Sequence, residues 1–284
     1  MKGRFVRYFS DTLIEKLQQE KLFKEKLKSD IDYGNIFPAI REDLIDFYYK
    51  GGRLFSYDEK GFKKHIKYAS VYKSTNDYIP ESELKNVEKI NDFNEGYERI
   101  KENCSLYSGV ESNGVSYVYG NYSYAAPNSN IVVLDIEVSL KSLDIDKNQD
   151  RIDILLFDKN EKKLMFCEAK HYSNKEIWSQ KGSNPDVVNQ IKRYKEQIRS
   201  KGNNIRDQYI NYIDAVNELF SLGLPHPTSI SEDILLIVFG FDKDQLCGRL
   251  TALFKANIPN DLIYYAIGDI TSLKIENIFK KCKL

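Results

Sequence analysis

No apolar run in the sequence reaches the ~18 residues that a bilayer crossing needs; the longest, Ile234 to Phe241, has the length of a strand. No membrane partner is therefore expected. The start, Met1-Lys2-Gly3-Arg4, leads into charged sequence without an apolar stretch, so no secretory signal is expected and a cytoplasmic location follows by default. The four cysteines (Cys104, Cys167, Cys247, Cys282) include no C-x-x-C pair, which removes zinc-finger spacing and a compact disulfide framework. The three histidines (His65, His171, His226) have no H-E-x-x-H spacing, which disfavours a histidine-based zinc hydrolase. No G-x-x-x-x-G-K-[ST] motif occurs, so no nucleotide cofactor is expected. No serine or cysteine nucleophile can be matched to a placed histidine and acid. Net charge is absent too: 42 Lys and Arg balance 42 Asp and Glu, and only local clustering can speak for a polyanionic partner.

What remains is an ordinary globular composition of 284 residues, 42% hydrophobic and 30% charged, enough for one large domain or two modest ones. Tyrosine stands out, at 20 against one Trp and two Met. Asp11 to Lys28 has helical spacing, with Leu13, Ile14 and Leu17 on one side. Ile45-Phe47-Tyr49 and Leu54 to Tyr57 flank Gly51-Gly52, a hairpin signal. Gly61 to Tyr72 reads as a further strand, and a polar helix is expected from Glu81 to Glu102, with Leu84, Val87, Ile90 and Phe93 as its stripe. Residues 1–105 thus form a smaller α+β module for substrate recognition or oligomerisation, and 106–284 a second domain.

In that second part Val115, Tyr117, Tyr119, Tyr122 and Tyr124 suggest a Tyr-rich strand or hairpin around Gly120. Ile131–Leu140, Ile152–Phe157 and Leu164–Ala169 then make a three-strand meander. Helices are expected over Pro185–Lys201 and Asn204–Leu222, and two strands, Ile234–Phe241 and Leu262–Ile267, have the continuous apolar character of a mixed sheet covered on both faces.

Chemistry enters where polar residues interrupt apolar strands. Asp153 lies within Arg151-Ile152-Asp153-Ile154-Leu155, and Glu168 and Lys170 close Leu164-Met165-Phe166-Cys167-Glu168-Ala169-Lys170. A period of two puts Glu168 and Lys170 on one face. If the neighbouring strand aligns Asp153 with them, two carboxylates and an ammonium converge, a hard-oxygen donor set suited to Mg²⁺ or Mn²⁺. The lysine can then position or polarise a bound water or stabilise charge on a phosphoryl group. The plainer alternative is two solvated strand ends and a surface ion pair.

Asp153, Glu168-Ala169-Lys170 and Gln190-Ile191-Lys192-Arg193-Tyr194 resemble the PD-(D/E)xK nuclease superfamily, and the Gln-x-x-x-Tyr spacing resembles its RecB-like exonuclease branch. The position before Asp153 is Ile152 rather than Pro. The resemblance implies a restriction-endonuclease-like mixed central sheet flanked by helices. It implies that Asp153 and Glu168 are metal ligands, that Lys170 is the catalytic lysine, and that Gln190 and Tyr194 contact metal-bound water or substrate. A further acidic ligand belongs upstream. Glu137 is the candidate, Asp135 shares its face, and Glu95, Glu98 and Glu102 are weaker alternatives. From His171 to Arg206 eight cations stand against three acids. Lys175, Lys192 and Arg193 among them are candidates for phosphate contact, with a solvated face as the plain alternative. Tyr48, Tyr49, Lys50, Arg53 and Lys63 to Tyr68 mix cations with aromatics and could grip a strand, or form a Tyr-lined core with lysines outside.

The expectation is a Mg²⁺- or Mn²⁺-dependent nuclease, DNA before RNA, of restriction or host-defence type. A homo-oligomer is compatible with it. The competing classes are a non-catalytic nucleic-acid-binding or assembly protein and a nuclease for RNA or a small cyclic phosphodiester.

Overall fold

The computed structural model describes residues 5–69, 78–86, 91–125, 129–140, 151–178, 184–253 and 262–281. It is a mixed α/β chain with two sheets. The chain divides into two compact units. One consists of Val6–Asn128 with Gln208–Pro225, the other of Met1–Phe5, Ser129–Asp207 and His226–Leu284. A single boundary at 105–106 was expected, whereas the first unit takes in two separate stretches of chain.

In the first unit, α1 (Asp11–Gln19) buries Leu13, Ile14 and Leu17. An extended Glu20 ends it, and the chain resumes through a wide helical turn at Phe23–Leu27 into α2 (Lys28–Asp32). The expected helix over 11–28 is therefore interrupted. Strands β1 (Ile36–Ile40), β2 (Ile45–Tyr49), β3 (Gly52–Asp58), β4 (Gly61–His65) and β5 (Tyr78–Pro80) form an antiparallel sheet in chain order. At the β2–β3 turn Lys50 and Gly51 have φ of 48° and 80°, the double left-handed conformation of the tightest hairpins. After β4 the chain turns into a short helix, α3 (Ile66–Ala69), so the expected strand stops at His65. A 3₁₀ turn at Glu81–Asn86 and α4 (Tyr97–Leu106) stand where one helix was expected. Turn-forming Asn91, Asp92, Asn94 and Gly96 separate them. Val87 and Ile90 of the expected stripe lie outside the described residues.

A clear correction falls at α5 (Val110–Tyr122), a helix where a Tyr-rich strand was expected. Val115, Val118 and Tyr119 are buried at helical spacing, and that period outweighs the β-propensity of the individual residues. Phe37 holds the rings of Tyr119 and Tyr124 at 5.4 and 5.3 Å.

The second unit is built on a six-stranded mixed sheet. β6 (Ile131–Ser139), β7 (Arg151–Asp158) and β8 (Lys163–His171) are the expected antiparallel meander. The Asp158 carboxylate accepts the Asn160 and Glu161 amides at 3.0 Å, which ties the β7–β8 turn. The short β9 (Ser229–Ile230) pairs with β8. β10 (Leu235–Phe239) runs parallel to β8, and β11 (Ile263–Ile267) parallel to β10. A parallel neighbour needs a long crossover, and α6 (Asp186–Phe220) lies in it. β10 is buried throughout, whereas β11, at the edge, is largely half-exposed, so only the first of the two late strands is covered on both faces as expected. Two helices were expected around residue 202, yet α6 is one helix of 35 residues. Gly202 weakens it by ~1 kcal/mol, but Ile198, Ile205 and Tyr209 carry the buried stripe past it. A capped turn, α7 (Lys243–Gln245), and α8 (Ile275–Lys281) complete the unit. Among the described residues no helix is long and apolar enough to cross a membrane.

Candidate functional site

The antiparallel meander decides where the acidic residues go. Ile154 pairs with Cys167, so one residue further along, Asp153 comes level with Glu168. On the other side, Val138 pairs with Ile152 and Ile136 with Ile154, which brings Glu137 level with Asp153. Directly opposed residues share a sheet face. Glu137, Asp153 and Glu168 therefore form a row across three neighbouring strands, and Arg151 and Lys170 lie on the same face, two positions along their strands.

Each carboxylate of the row has a protein donor. Asp153 Oδ2 accepts the Ala169 amide at 2.8 Å. Glu168, 1% exposed, receives Lys170 Nζ at 2.8 Å. Glu137 pairs with Arg151 Nε at 2.6 Å, and its φ of 52° places a non-glycine residue in left-handed backbone within a strand. Such conformations cost ~1–3 kcal/mol and persist only where the surroundings fix them. Among the described residues no three His, Cys, Asp or Glu side chains converge closely enough to hold a metal ion between them. The row is shared, but Glu137 is turned to Arg151.

Lys170 is the most constrained group. It is 5% exposed, with Leu236 and Val238 of β10 level with Glu168 and itself on the neighbouring strand. Glu176 Oε2 lies 2.9 Å from its Nζ. Burial alone would lower the lysine pKa, but Glu168, then Asp153 and Glu176, outweigh it and hold the pKa well above the ordinary value. The ammonium stays charged at neutral pH. It donates hydrogen bonds and positive charge and cannot act as a general base.

Glu176 is the residue that sequence reasoning passed over. It sits on a 3₁₀ turn, Lys175–Ile177, that follows β8 and is capped by the Asn174 side chain. No periodic pattern marks such a turn; the only signal is an acid placed within one short loop of the Lys170 strand end.

Gln190 and Tyr194 share a face of α6 as their spacing requires. Gln190 Nε2 donates to the Tyr194 hydroxyl at 2.6 Å, and that hydroxyl donates to the Arg151 carbonyl at 2.7 Å. Tyr194, expected at the substrate, is wholly buried and fastens α6 to the first residue of β7. Lys175 and Lys192 are exposed and Arg193 half-exposed. Other cations of the basic tract are neutralised by acids outside it: Lys195 by Asp233 at 2.9 Å, Arg199 by Glu232 at 3.0 Å and Arg206 by Asp207 at 2.7 Å. Lys181 lies outside the described residues.

Set against known proteins, the chain matches no family model, no curated protein and no solved structure. Carboxylate oxygens are the donors that Mg²⁺ takes, commonly one or two of them alongside several waters, and Asp153 and Glu168 are the residues of the row that could hold such an ion.

In the first unit, the residues singled out as a grip separate. Tyr48, Lys64 and Tyr68 are buried, whereas Tyr49 is half-exposed and Lys50 exposed. Lys64 is the reverse of a lysine outside a tyrosine core. Its Nζ has no hydrogen-bond partner and stands 4.7 and 5.2 Å from the Tyr68 and Phe55 rings.

Proposed function

We propose that this chain is a Mg²⁺- or Mn²⁺-dependent nuclease of restriction-endonuclease-like fold that hydrolyses phosphodiester bonds, with DNA as its first substrate. One observation carries the reading: Asp153 and the Glu168-Ala169-Lys170 segment lie level on adjacent strands, with the lysine buried and held as an ammonium by Glu168 and Glu176. Asp153 and Glu168 would hold the metal. When bound, it would supply Lewis-acid stabilisation of phosphoryl charge and a water of lowered pKa.

The chain's own groups do the rest. Lys170 keeps its proton and presents it to the anionic oxygens of the scissile phosphate. Glu168 and Glu176 fix its Nζ from two directions, so little reorganisation remains when charge develops. The Gln190–Tyr194–Arg151 chain holds α6 on β7, and with it the exposed Lys192, positioned to neutralise backbone phosphates alongside Lys175 and Arg193.

A second reading, a nucleic-acid-binding or assembly protein without catalysis, is favoured by one fact: every carboxylate of the row already has a protein donor. Cleavage of linear, circular and single-stranded DNA and of RNA across a Mg²⁺ and Mn²⁺ series separates the two. The nuclease reading expects metal-dependent cleavage that Asp153→Asn and Lys170→Ala each reduce by at least about a hundredfold. Binding without cleavage at any metal concentration, or undiminished cleavage by Asp153→Asn, would install the second reading.

A further inference from the structure

The first unit carries an open cavity of about 520 Å³ between the loop after α2, the β2–β3 turn, the end of α4 and one side of α5. Backbone meets backbone around it. A Cβ on Gly34 would stand 2.3 Å from the Gly120 carbonyl oxygen, and one on Gly51 2.6 Å from Ser112. The Tyr119 hydroxyl accepts the Gly51 amide at 2.8 Å, and Ser108 donates to the Lys50 carbonyl. The walls are thus fixed by contacts that only glycines permit.

Its lining has a distinctive chemistry. Tyr33 and Tyr117 are 79% and 46% exposed, unusual for side chains of this size on a unit that buries most of its aromatics. Lys50 is the one cation among the lining residues, its Nζ 5.4 Å from the Tyr49 ring centroid, and no carboxylate joins it. Asparagine amides complete the wall. Asn35 Nδ2 is held by Asp30 at 3.0 Å and Asn121 Nδ2 by the Tyr117 carbonyl at 2.8 Å, so both amides are oriented in advance.

We propose that this cavity binds one unstacked nucleotide of a nucleic-acid strand, with the base on the tyrosine rings, its edge against the asparagines and its phosphate at Lys50. Every base offers a π-face to an aromatic ring, and a lone cation without opposing acids suits a phosphodiester. A neutral saccharide would leave Lys50 without a counter-charge, whereas a phosphodiester supplies one. The cavity is large enough for a base with its sugar and phosphate, within the ordinary range of ~300–1,000 Å³ for small-molecule sites. This inference deepens the proposed nuclease reading by giving the first unit a substrate-gripping task.

The test uses the full chain in EDTA and a single-stranded DNA oligomer carrying one 2-aminopurine, read by anisotropy and by quenching of the base. The parent should bind and quench. The Tyr33→Ala/Tyr117→Ala double variant should bind about tenfold or more weakly and lose the quenching. Lys50→Gln should reduce the slope of log affinity against log salt by about one phosphate's worth. Both tyrosines are exposed, so the thermal midpoint should stay with the parent's and report an intact fold. An oligomer that fails to bind the parent, a double variant that quenches like the parent, or displacement of the oligomer by a neutral trisaccharide would overturn the proposal. Because no metal is present, these outcomes are independent of whether Asp153, Glu168 and Lys170 cleave anything.

Discussion

The Ala169 amide donates to Asp153 Oδ2 at 2.8 Å, so a backbone group of one strand orients the carboxylate of the next. The two replacements of Asp153 should therefore part company. Asp153→Asn keeps an oxygen acceptor and should unfold in urea, in EDTA, within about 1 kcal/mol of the parent. Asp153→Ala leaves the amide without that acceptor and should lose about 1–3 kcal/mol. On the proposed metal site, Mn²⁺ should raise the thermal midpoint of the parent and of neither variant. Equal urea midpoints for the two variants would show that the bond contributes nothing.

Lys170 and Glu168 form a buried pair, and removal of one partner leaves the other charge uncompensated. Lys170→Met should cost about 3–5 kcal/mol at pH 7, and adding Glu168→Gln should recover much of it. The folded pKa of Lys170 lies above its ordinary 10.5, so the pair's contribution is present in full below that pH and fades as pH rises past it. Denaturation of the parent and Lys170→Met between pH 7 and 11 should show the difference between them shrinking only at the alkaline end.

Lys64 should behave in the opposite sense. Burial pushes its pKa down to about 7, only partly opposed by the Cys104 thiol, against an ordinary 10.5. Between those values the unfolded chain binds the extra proton, so stability should rise as pH rises from about 7 towards 10.5. Below about 7 the penalty is complete and constant. Lys64→Met should raise the unfolding free energy at pH 7 by a few kcal/mol and flatten this slope, read by urea denaturation across the range. An unchanged slope would mean that Lys64 reaches water.

Tyr194→Phe deletes the hydroxyl that joins Gln190 to the Arg151 carbonyl while keeping the ring. It should cost about 1–2 kcal/mol, and amide exchange at the start of β7 should quicken. Global exchange rising evenly across the sheet would argue against a local fastening.

The second unit's meander was readable because Ile131–Leu140, Ile152–Phe157 and Leu164–Ala169 are apolar runs bounded by polar turns, and the β2–β3 hairpin because Gly51 marks its turn. Spacing put Glu168 and Lys170 on one face, whereas the alignment of Asp153 with Glu168 depended on the β7–β8 register. Other features lie beyond such signals. Tyr117, Tyr119 and Tyr122 look like strand residues one by one, and only the spacing of Val115, Val118 and Tyr119 shows the helix. A gap was expected between helices ending at Lys201 and starting at Asn204, yet Gly202 is carried inside α6, where a Cβ would stand 3.2 Å from Ile230. Glu176 reaches Lys170 from a turn, and the burial of Lys64 depends on α3 bringing Tyr68 over it, a tertiary fact with no local trace.

The first unit is discontinuous in sequence, since Gln208–Pro225 belongs with Val6–Asn128. The Tyr212 hydroxyl reaches the carbonyl of Pro38, a residue 174 positions earlier in the chain, at 3.4 Å, and the Tyr124 and Tyr212 rings meet edge to face at 6.0 Å. A ribosome making the chain from its first residue therefore releases the five-stranded sheet long before the helix end that closes its core. Until the strand-rich middle has been synthesised, that core has an open side, an interval in which its exposed apolar surface invites misassembly.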